Sequence, residues 1–204
     1  MGEKKSGEKE NESRESEESA ESEENEESGE GRAREAELLA ALDADAPEPG
    51  SGGPPPLRPF GLVLHHDASW RHEGQPIRNR RLREHFDRSV AYLPEEGKFV
   101  VRLGRFRGQI EVEEAAFFVR ELDFERGELL LSDRTRDGLD PERLTSSPID
   151  GALLCRVKRD LAPEGLLARF THAAQAELFG AVEETEAGLR VRFGGRWLRL
   201  PELA

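Results

Sequence analysis

The sequence has one cysteine, no long apolar run and, before residue 57, no aromatic side chain. A single cysteine, Cys155, cannot form an intrachain disulfide, which fits a reducing cytoplasm, and its apolar neighbours predict a buried thiol. No apolar run approaches the roughly 20 residues of a transmembrane helix. No apolar segment follows the start, which argues against a secretory signal. We therefore expect a cytoplasmic protein without membrane contact.

Short motifs that carry common chemistries are also missing. The sequence contains no glycine-rich phosphate loop of the form G-x-G-x-x-G or G-x-x-x-x-G-K-[ST], no G-x-S-x-G turn, and neither H-E-x-x-H nor C-x-x-C. These absences weaken nucleotide-binding, esterase and zinc-protease interpretations. The sequence assigns no catalytic residue and predicts no metal site and no cofactor.

The net charge of −13 is unevenly distributed along the chain. Residues 1–56 contain 18 acidic and 6 basic residues, whereas residues 57–204 contain 25 and 24. Low hydrophobicity with a high like charge predicts a disordered acidic tail over 1–56, ending in a Pro/Gly-rich linker at 47–59. A short helix is expected at 33–43, either within the linker or as a docking helix for a partner or for the domain. Residues 57–204 are long enough for one globular domain.

The domain has the pattern of an α+β fold. Short strand-like segments alternate with two helical patterns, at about 79–92 and 163–179. The second pattern rests on apolar spacing through Leu166, Leu167, Phe170, Ala174 and Leu178. Residues 132–148 are polar and predict a long loop, whereas Gly194-Gly195 predicts a hairpin turn.

Two stretches of the domain are similar to each other. GKFVVRLGRFRGQI at 97–110 resembles GLRVRFGGRWLRL at 188–200, and each follows a helical pattern. The repeat extends over about 70–112 and 163–200. It predicts two similar motifs, each a helix plus an antiparallel sheet, which pack together because one unit alone cannot bury its apolar face.

Two segments resemble a known bacterial family. The matching residues are Trp70, Gly74, Pro76 and Ile77 before the first helix, and Ile110, Val112, Glu113, Glu114, Ala115 and Phe117 further on. These residues, and the placement of the helical pattern around Arg169 and Leu178, resemble Domain of Unknown Function 1285 (DUF1285) over residues 60–201. Glu114 and Ala116 replace the usual Asp and Pro, and residues 132–150 show no match. The resemblance implies an α+β fold with repeated motifs and no established activity, and it suggests a signalling or sensing role.

Histidines and carboxylates form the densest polar clusters. His65, His66, Asp67, His72 and His85 lie close together in sequence, but alternation along a strand would leave only two or three of them on one side. This number falls short of a convincing metal site. Surface histidines are the simplest interpretation, and metal binding or acid–base chemistry are the alternatives. Similarly, the carboxylates from Glu111 to Glu114 fit the solvated face of a strand.

The first helix is rich in arginine: Arg78, Arg80, Arg81, Arg83 and Arg88. Three interpretations stay open: a salt-bridged solvated face, a surface for an anionic ligand or partner, and nucleic-acid binding. Nucleic acid is disfavoured because no aromatic stacking motif accompanies the helix. The predicted binding surface combines Trp70, His72, Arg78 and Arg81 at the strand–helix junction, where backbone N–H groups favour anions.

These observations lead to one main hypothesis and two alternatives. The main hypothesis is a non-enzymatic sensing or interaction domain that binds an anionic small ligand or a protein partner. The alternatives are an enzyme that uses His66, His72 or the Glu111–Glu114 strand, and nucleic-acid binding through helix 78–88. The acidic tail is expected to compete with anionic partners for that helix.

Overall fold

The structure is a computed structural model that describes residues 29, 31–42, 57–103, 106–140, 143–186 and 188–200. The helices of this part are α1 (residues 31–42), α2 (Arg80–Ser89) and α3 (His172–Gly180). The predicted disorder of the acidic tail and residues 47–56 of the linker predicted at 47–59 lie outside the described residues. Residues 57–59 are not linker, because they belong to the strand Leu57–Leu64. The predicted short helix corresponds to α1.

Two six-stranded sheets contain most of the strands. The first sheet consists of β1 (Leu57–Leu64), β2 (Trp70–His72), β3 (Gln75–Pro76), β4 (Ala91–Leu93), β5 (Lys98–Leu103) and β6 (Phe106–Val112), in the order β3-β2-β1-β6-β5-β4. The second consists of β7 (Phe117–Asp123), β8 (Glu128–Leu131), β9 (Arg136–Gly138), β10 (Thr145–Ser146), β11 (Leu153–Val157) and β12 (Leu166–Phe170), in the order β10-β11-β12-β7-β8-β9. A third sheet is the meander β13 (Val182–Thr185), β14 (Gly188–Phe193) and β15 (Arg196–Arg199).

The two large sheets share one topology, which confirms the α+β fold with two similar motifs. In each sheet the first and last strands pair in parallel at the centre, β1 with β6 and β7 with β12, while the other pairs are antiparallel. The sheets are therefore mixed rather than purely antiparallel. A helix followed by a three-stranded meander also occurs twice, as α2 with β4–β6 and as α3 with β13–β15.

The first helix of the domain is shorter than the sequence predicts. The Asn79 side chain caps α2 by accepting hydrogen bonds from the backbone N–H groups of Arg81 and Leu82. Leu82 and Phe86 are fully buried one turn apart and attach the helix to the core. The predicted extension to residue 92 is wrong, because residues 91–93 form β4 and pair with β5.

The second helical prediction is also wrong in its first half. Leu166–Phe170 is the strand β12, which lies between β11 and β7. Helix α3 starts only after Thr171, whose hydroxyl accepts a hydrogen bond from the Ala174 N–H group. Strand residues buried on both faces form a continuous apolar run, and that run fitted a helical spacing by coincidence. The predicted loop at 132–148 likewise contains β9 and β10.

The hairpin turn at Gly194-Gly195 joins β14 to β15, as predicted. Both glycines have positive φ, and Gly194 packs against Gly127 in the turn between β7 and β8. The Gly194 N–H donates to the Phe124 carbonyl at 2.8 Å, and the Phe124 and Phe193 rings meet edge to face. The third sheet is thereby attached to the second.

A buried ion pair joins the chain between the two large sheets to the second sheet. Arg169, only 4% exposed, lies on β12, and its Nη1 is 2.6 Å from Oε2 of Glu114, just after β6. The second Nη of Arg169 donates to Asp150, and the Ser147 hydroxyl donates to the other Glu114 oxygen at 2.5 Å. Every oxygen of the buried carboxylate therefore has a donor.

We expect Arg169→Met to lower the free energy of unfolding by about 3–5 kcal/mol, because it leaves Glu114 buried without its cation. Urea denaturation measures this loss. The double variant Arg169→Met with Glu114→Gln should lose less, since no charge is then left unpaired. Arg102→Met, at an exposed strand position, is the matched control and should shift stability by no more than about 0.5 kcal/mol. An equally small effect of Arg169→Met would contradict the assignment.

Candidate functional site

The four predicted binding residues do not form one exposed surface. Trp70 is 1% exposed, packs on Phe86, and donates its indole N–H to Asp87 at 2.9 Å. It belongs to the core, so the expectation of an exposed aromatic at this position is wrong. Arg78 and Arg81 are exposed, and His72 is half-buried. The His72 Nδ1 atom is buried and has no hydrogen-bond partner in the described part of the chain.

The anion-accepting end of α2 holds a carboxylate from the chain itself. Glu35 of α1 accepts hydrogen bonds from the backbone N–H of Arg78 and, at 2.9 Å, from that of Asn79. A carboxylate at a helix start is stabilised by the helix dipole and the unsatisfied N–H groups. At the junction that is predicted to bind an anion, the carboxylate of Glu35 therefore already occupies the backbone N–H groups of Arg78 and Asn79.

Helix α1 is attached to the domain by an apolar contact as well. Leu38 is 5% exposed and belongs to the common core, with Leu39 and Leu42 packed against it. An ion pair between Arg34 and Glu73, at 3.5 Å, lies at the edge of the contact. The sequence leaves open whether this helix is part of the linker or docks on a partner or on the domain. In the structure it docks on its own domain.

The opposite side of α2 borders a groove of about 810 Å³. One face of the helix, with Arg80, Arg83, Glu84, Asp87 and Arg88, forms one wall. The other wall comes from β7, β8 and the turn after β8, through Arg120, Glu121, Leu130, Leu131, Ser132 and Arg134, and Asp67 and Ala68 lie at the rim. The volume is in the range of ligand-binding clefts, roughly 300–1,000 Å³.

Three of the five arginines in the groove are neutralised by acids. Glu84 pairs with Arg80 at 2.6 Å and with Arg88 at 3.1 Å, and Asp87 pairs with Arg120 at 2.9 Å. Burial raises the pKa of Asp87 above its ordinary value, while the Trp70 hydrogen bond and the charge of Arg120 act in the opposite direction.

The other two arginines, Arg83 and Arg134, are exposed and form no ion pair with the residues that the structure describes. Arg134 lies in the turn after β8 with a φ of 68°. It acts on Glu84 across the groove only through longer-range electrostatics, which lowers the pKa of that carboxyl together with the closer Arg80. The groove therefore offers two guanidinium groups to a ligand.

A second cluster joins the ends of β1 and β6. One oxygen of Glu113 lies 2.8 Å from the His66 Nδ1 atom, 2.8 Å from the His66 backbone nitrogen and 3.2 Å from the His65 Nδ1 atom. These hydrogen bonds, led by the His66 N–H, lower the pKa of Glu113 to about 2. The Glu113 contact raises the pKa of His66. Among the described residues no group of three or more His, Cys, Asp or Glu side chains could hold a metal ion.

The remaining candidates lie apart. His85 is 2.6 Å from the Arg102 carbonyl, and His72 lies beside α1. Cys155 is buried, and burial raises the pKa of its thiol to about 12, which fits the predicted inert core residue. No helix in the described ranges is long and apolar enough to cross a membrane.

One wall of the groove is predictable from the sequence, and the second wall is not. Arg80, Arg83 and Arg88 were visible as a helical charge pattern. Arg120 and Arg134 could not be assigned to the groove from the sequence. They come close to α2 only because the second sheet packs beside it, and local residue spacing gives no sign of that packing. Glu35 was likewise indistinguishable from the other acids of the N-terminal segment.

Comparison with known proteins shows a likeness of fold. No protein-family model matches the sequence, and no curated protein matches it. The crystal structure of a DUF1285 family protein from Silicibacter pomeroyi DSS-3 is similar with a TM-score of 0.53 and 18% sequence identity, over 80% of this chain and 93% of that one. A DUF1285 family protein from Shewanella baltica OS155 has a TM-score of 0.40 and 14% identity, over 60% of this chain and 91% of that one. The first likeness confirms, at the level of fold, the resemblance inferred from the sequence.

The His66–Glu113 contact should make stability depend on pH. Glu113, with its lowered pKa, stabilises the fold above its ordinary value of 4.5 and loses this effect as pH falls towards 2. His66, with its raised pKa, contributes fully below its ordinary value of 6.5 and loses its contribution as pH rises through the raised value. The destabilisation by Glu113→Gln, measured by urea denaturation, should therefore be largest between pH 4.5 and 6.5. Glu111→Gln is the control, and a difference independent of pH would refute the pairing.

The docking of α1 can be tested by hydrogen exchange. Glu35→Ala removes the carboxylate at the α2 start and Leu38→Ala removes the buried side chain, so amide exchange in residues 31–42 should accelerate by about tenfold or more. Protection in α2 should persist in both variants. Glu37→Ala, on the exposed side of α1, should have little effect, and equal exchange in all three variants would argue against docking.

Proposed function

We propose that this chain is a non-enzymatic sensing domain that binds an anionic small ligand in the groove between α2 and β7–β8. The observation that carries the proposal is the pair of arginines, Arg83 and Arg134, that line one groove and form no ion pair within the described part of the chain. Guanidinium groups bind carboxylates and phosphates through paired, charge-assisted hydrogen bonds. A ligand with two anionic groups could contact both.

The lining of the groove supports a small organic anion. Two of the four acids that line the groove are already paired with arginines: Glu84 pairs with Arg80 and Arg88, and Asp87 pairs with Arg120. They hold the surrounding charges in place, so a ligand need not reorganise them before it binds. Leu130 adds an apolar contact to the wall, which suits a ligand with a carbon skeleton between its charges.

The predicted junction of Trp70, His72, Arg78 and Arg81 is the second place proposed for an anionic partner. There Glu35 must leave before an external anion can reach the backbone N–H groups of Arg78 and Asn79. The groove has no such requirement, so we place the small ligand there. At the junction we place an acidic protein partner, which would compete with Glu35 of α1 for the backbone N–H groups. This agrees with the expectation from the sequence that the acidic N-terminal segment competes with anionic partners.

The two alternative functions receive less support from the geometry. Glu113, with a pKa of about 2, is a weak base, and its contacts suit the positioning of His65 and His66 better than proton transfer. The arginines of α2 that line the groove share their face of the helix with Asp87 and with Glu84, which neutralises Arg80 and Arg88. They therefore do not form the single basic face that a nucleic-acid-binding helix would need.

The ligand proposal is tested by calorimetric titration of the full chain with citrate and with inorganic pyrophosphate. One of these polyanions should bind, and Arg83→Ala and Arg134→Ala should each weaken that binding about tenfold or more, because each removes a charge-assisted contact worth about 1.5–3 kcal/mol. Arg126→Ala removes the same charge at an exposed turn away from the groove and is the matched control. Absence of binding heat, or an equal loss in all three variants, would overturn the proposal.

A further inference from the structure

The third sheet has one buried and one exposed face. Val191 and Phe193 of β14 lie in the core, and Phe193 contacts the Phe124 ring. Because side chains alternate along a strand, Arg190 and Arg192 lie on the opposite face. This face belongs neither to the groove nor to the junction at α2, so an activity there is independent of the proposed function.

The strand register places an aromatic ring among the arginines. Trp197 of β15 pairs with Arg192, and Arg199 pairs with Arg190. Trp197 is 51% exposed, whereas the other tryptophan, Trp70, is buried. The outer face of β14 and β15 therefore presents a flat indole beside three arginines.

The charges on this face are not balanced internally. Arg190 and Arg199 lie directly opposite each other, and like charges in that arrangement destabilise a sheet. None of the three arginines forms an ion pair with the residues that the structure describes. Glu183, opposite Arg190 on β13, is the acid of the same face. An anionic partner would relieve the repulsion that the chain leaves in place.

We propose that the outer face of β14 and β15, formed by Arg190, Arg192, Trp197 and Arg199, binds single-stranded nucleic acid. The indole stacks on a base, and the arginines contact the phosphates on either side. Proteins that bind single strands without sequence preference combine these two elements, a stacking aromatic and cations along the backbone.

This partner fits the face better than other anionic partners do. A second copy of the chain would bring arginines against arginines. An acidic peptide would satisfy the charges, but it leaves an exposed indole without a stacking partner. An anionic membrane would require a broad apolar area, whereas arginines surround Trp197 on this face.

The two tryptophans allow a direct test. Titration of the full chain with an oligothymidylate of about ten nucleotides at low salt should quench the emission of Trp197 and leave that of the buried Trp70. With a fluorescein-labelled oligonucleotide, Trp197→Ala should weaken binding about tenfold or more, in line with the loss of base stacking. Arg192→Ala should weaken binding and reduce the slope of log K against log salt by about 1.

Two kinds of control distinguish the stacking of bases on Trp197 from attraction by charge alone. Arg102→Ala matches the charge change of Arg192→Ala at an exposed position of the first sheet and should leave affinity nearly unchanged. Poly-L-glutamate and phosphatidylserine vesicles present negative charge without bases. Absence of quenching, full affinity in Trp197→Ala, or binding of either control anion as tightly as the oligonucleotide would overturn the proposal. None of these results bears on citrate or pyrophosphate binding in the groove.

Discussion

The arrangement of the two large sheets depends on a pair of neighbouring carboxylates, Glu113 and Glu114, where the chain passes from one sheet to the other. Glu114 contacts the buried guanidinium of Arg169, while Glu113 is held by His65 and His66, which directly follow β1 of the first sheet. A buried cation cannot be left without its acid except at a cost of several kcal/mol. The crossover is therefore held in one conformation. The position of β7, and with it the second wall of the groove, follows from that constraint.

The fold class could be read from the sequence because it depends on local patterns. The α+β assignment, the repeated helix-and-sheet motif and the turn at Gly194-Gly195 rest on composition, spacing and turn chemistry. The positions at which the helices begin and end were harder to predict from the sequence. Leu166–Phe170 is apolar at nearly every position, and such a run fits a helix face as well as a strand buried on both sides. The segment is a strand because it pairs with β11 and β7, and these pairings leave no pattern in the local sequence.

The candidate site was only partly predictable, for a related reason. A charged face on α2 is visible in its sequence, but the depth to which a side chain is buried is not. Trp70, flanked by polar residues, lies in the core, and its indole N–H is satisfied by Asp87. Arg169 is 55 residues along the chain from its partner Glu114, and Glu35 is 44 residues from Asn79 at the start of α2. Such contacts arise from topology and were beyond the reach of motif spacing.

Because α1 belongs to the same chain as the domain, its docking competes differently with other molecules than the docking of a separate helix would. The sequence places 14 residues between α1 and β1, so this covalent tether makes the docking of α1 an intramolecular event. A released α1 therefore stays at an effective concentration on the order of millimolar around its own docking position. An acidic segment of another molecule at micromolar concentration would need an affinity about a thousandfold higher to replace it. Cleavage of one peptide bond within the tether would remove that advantage without altering any contact between Glu35, Leu38 and the domain.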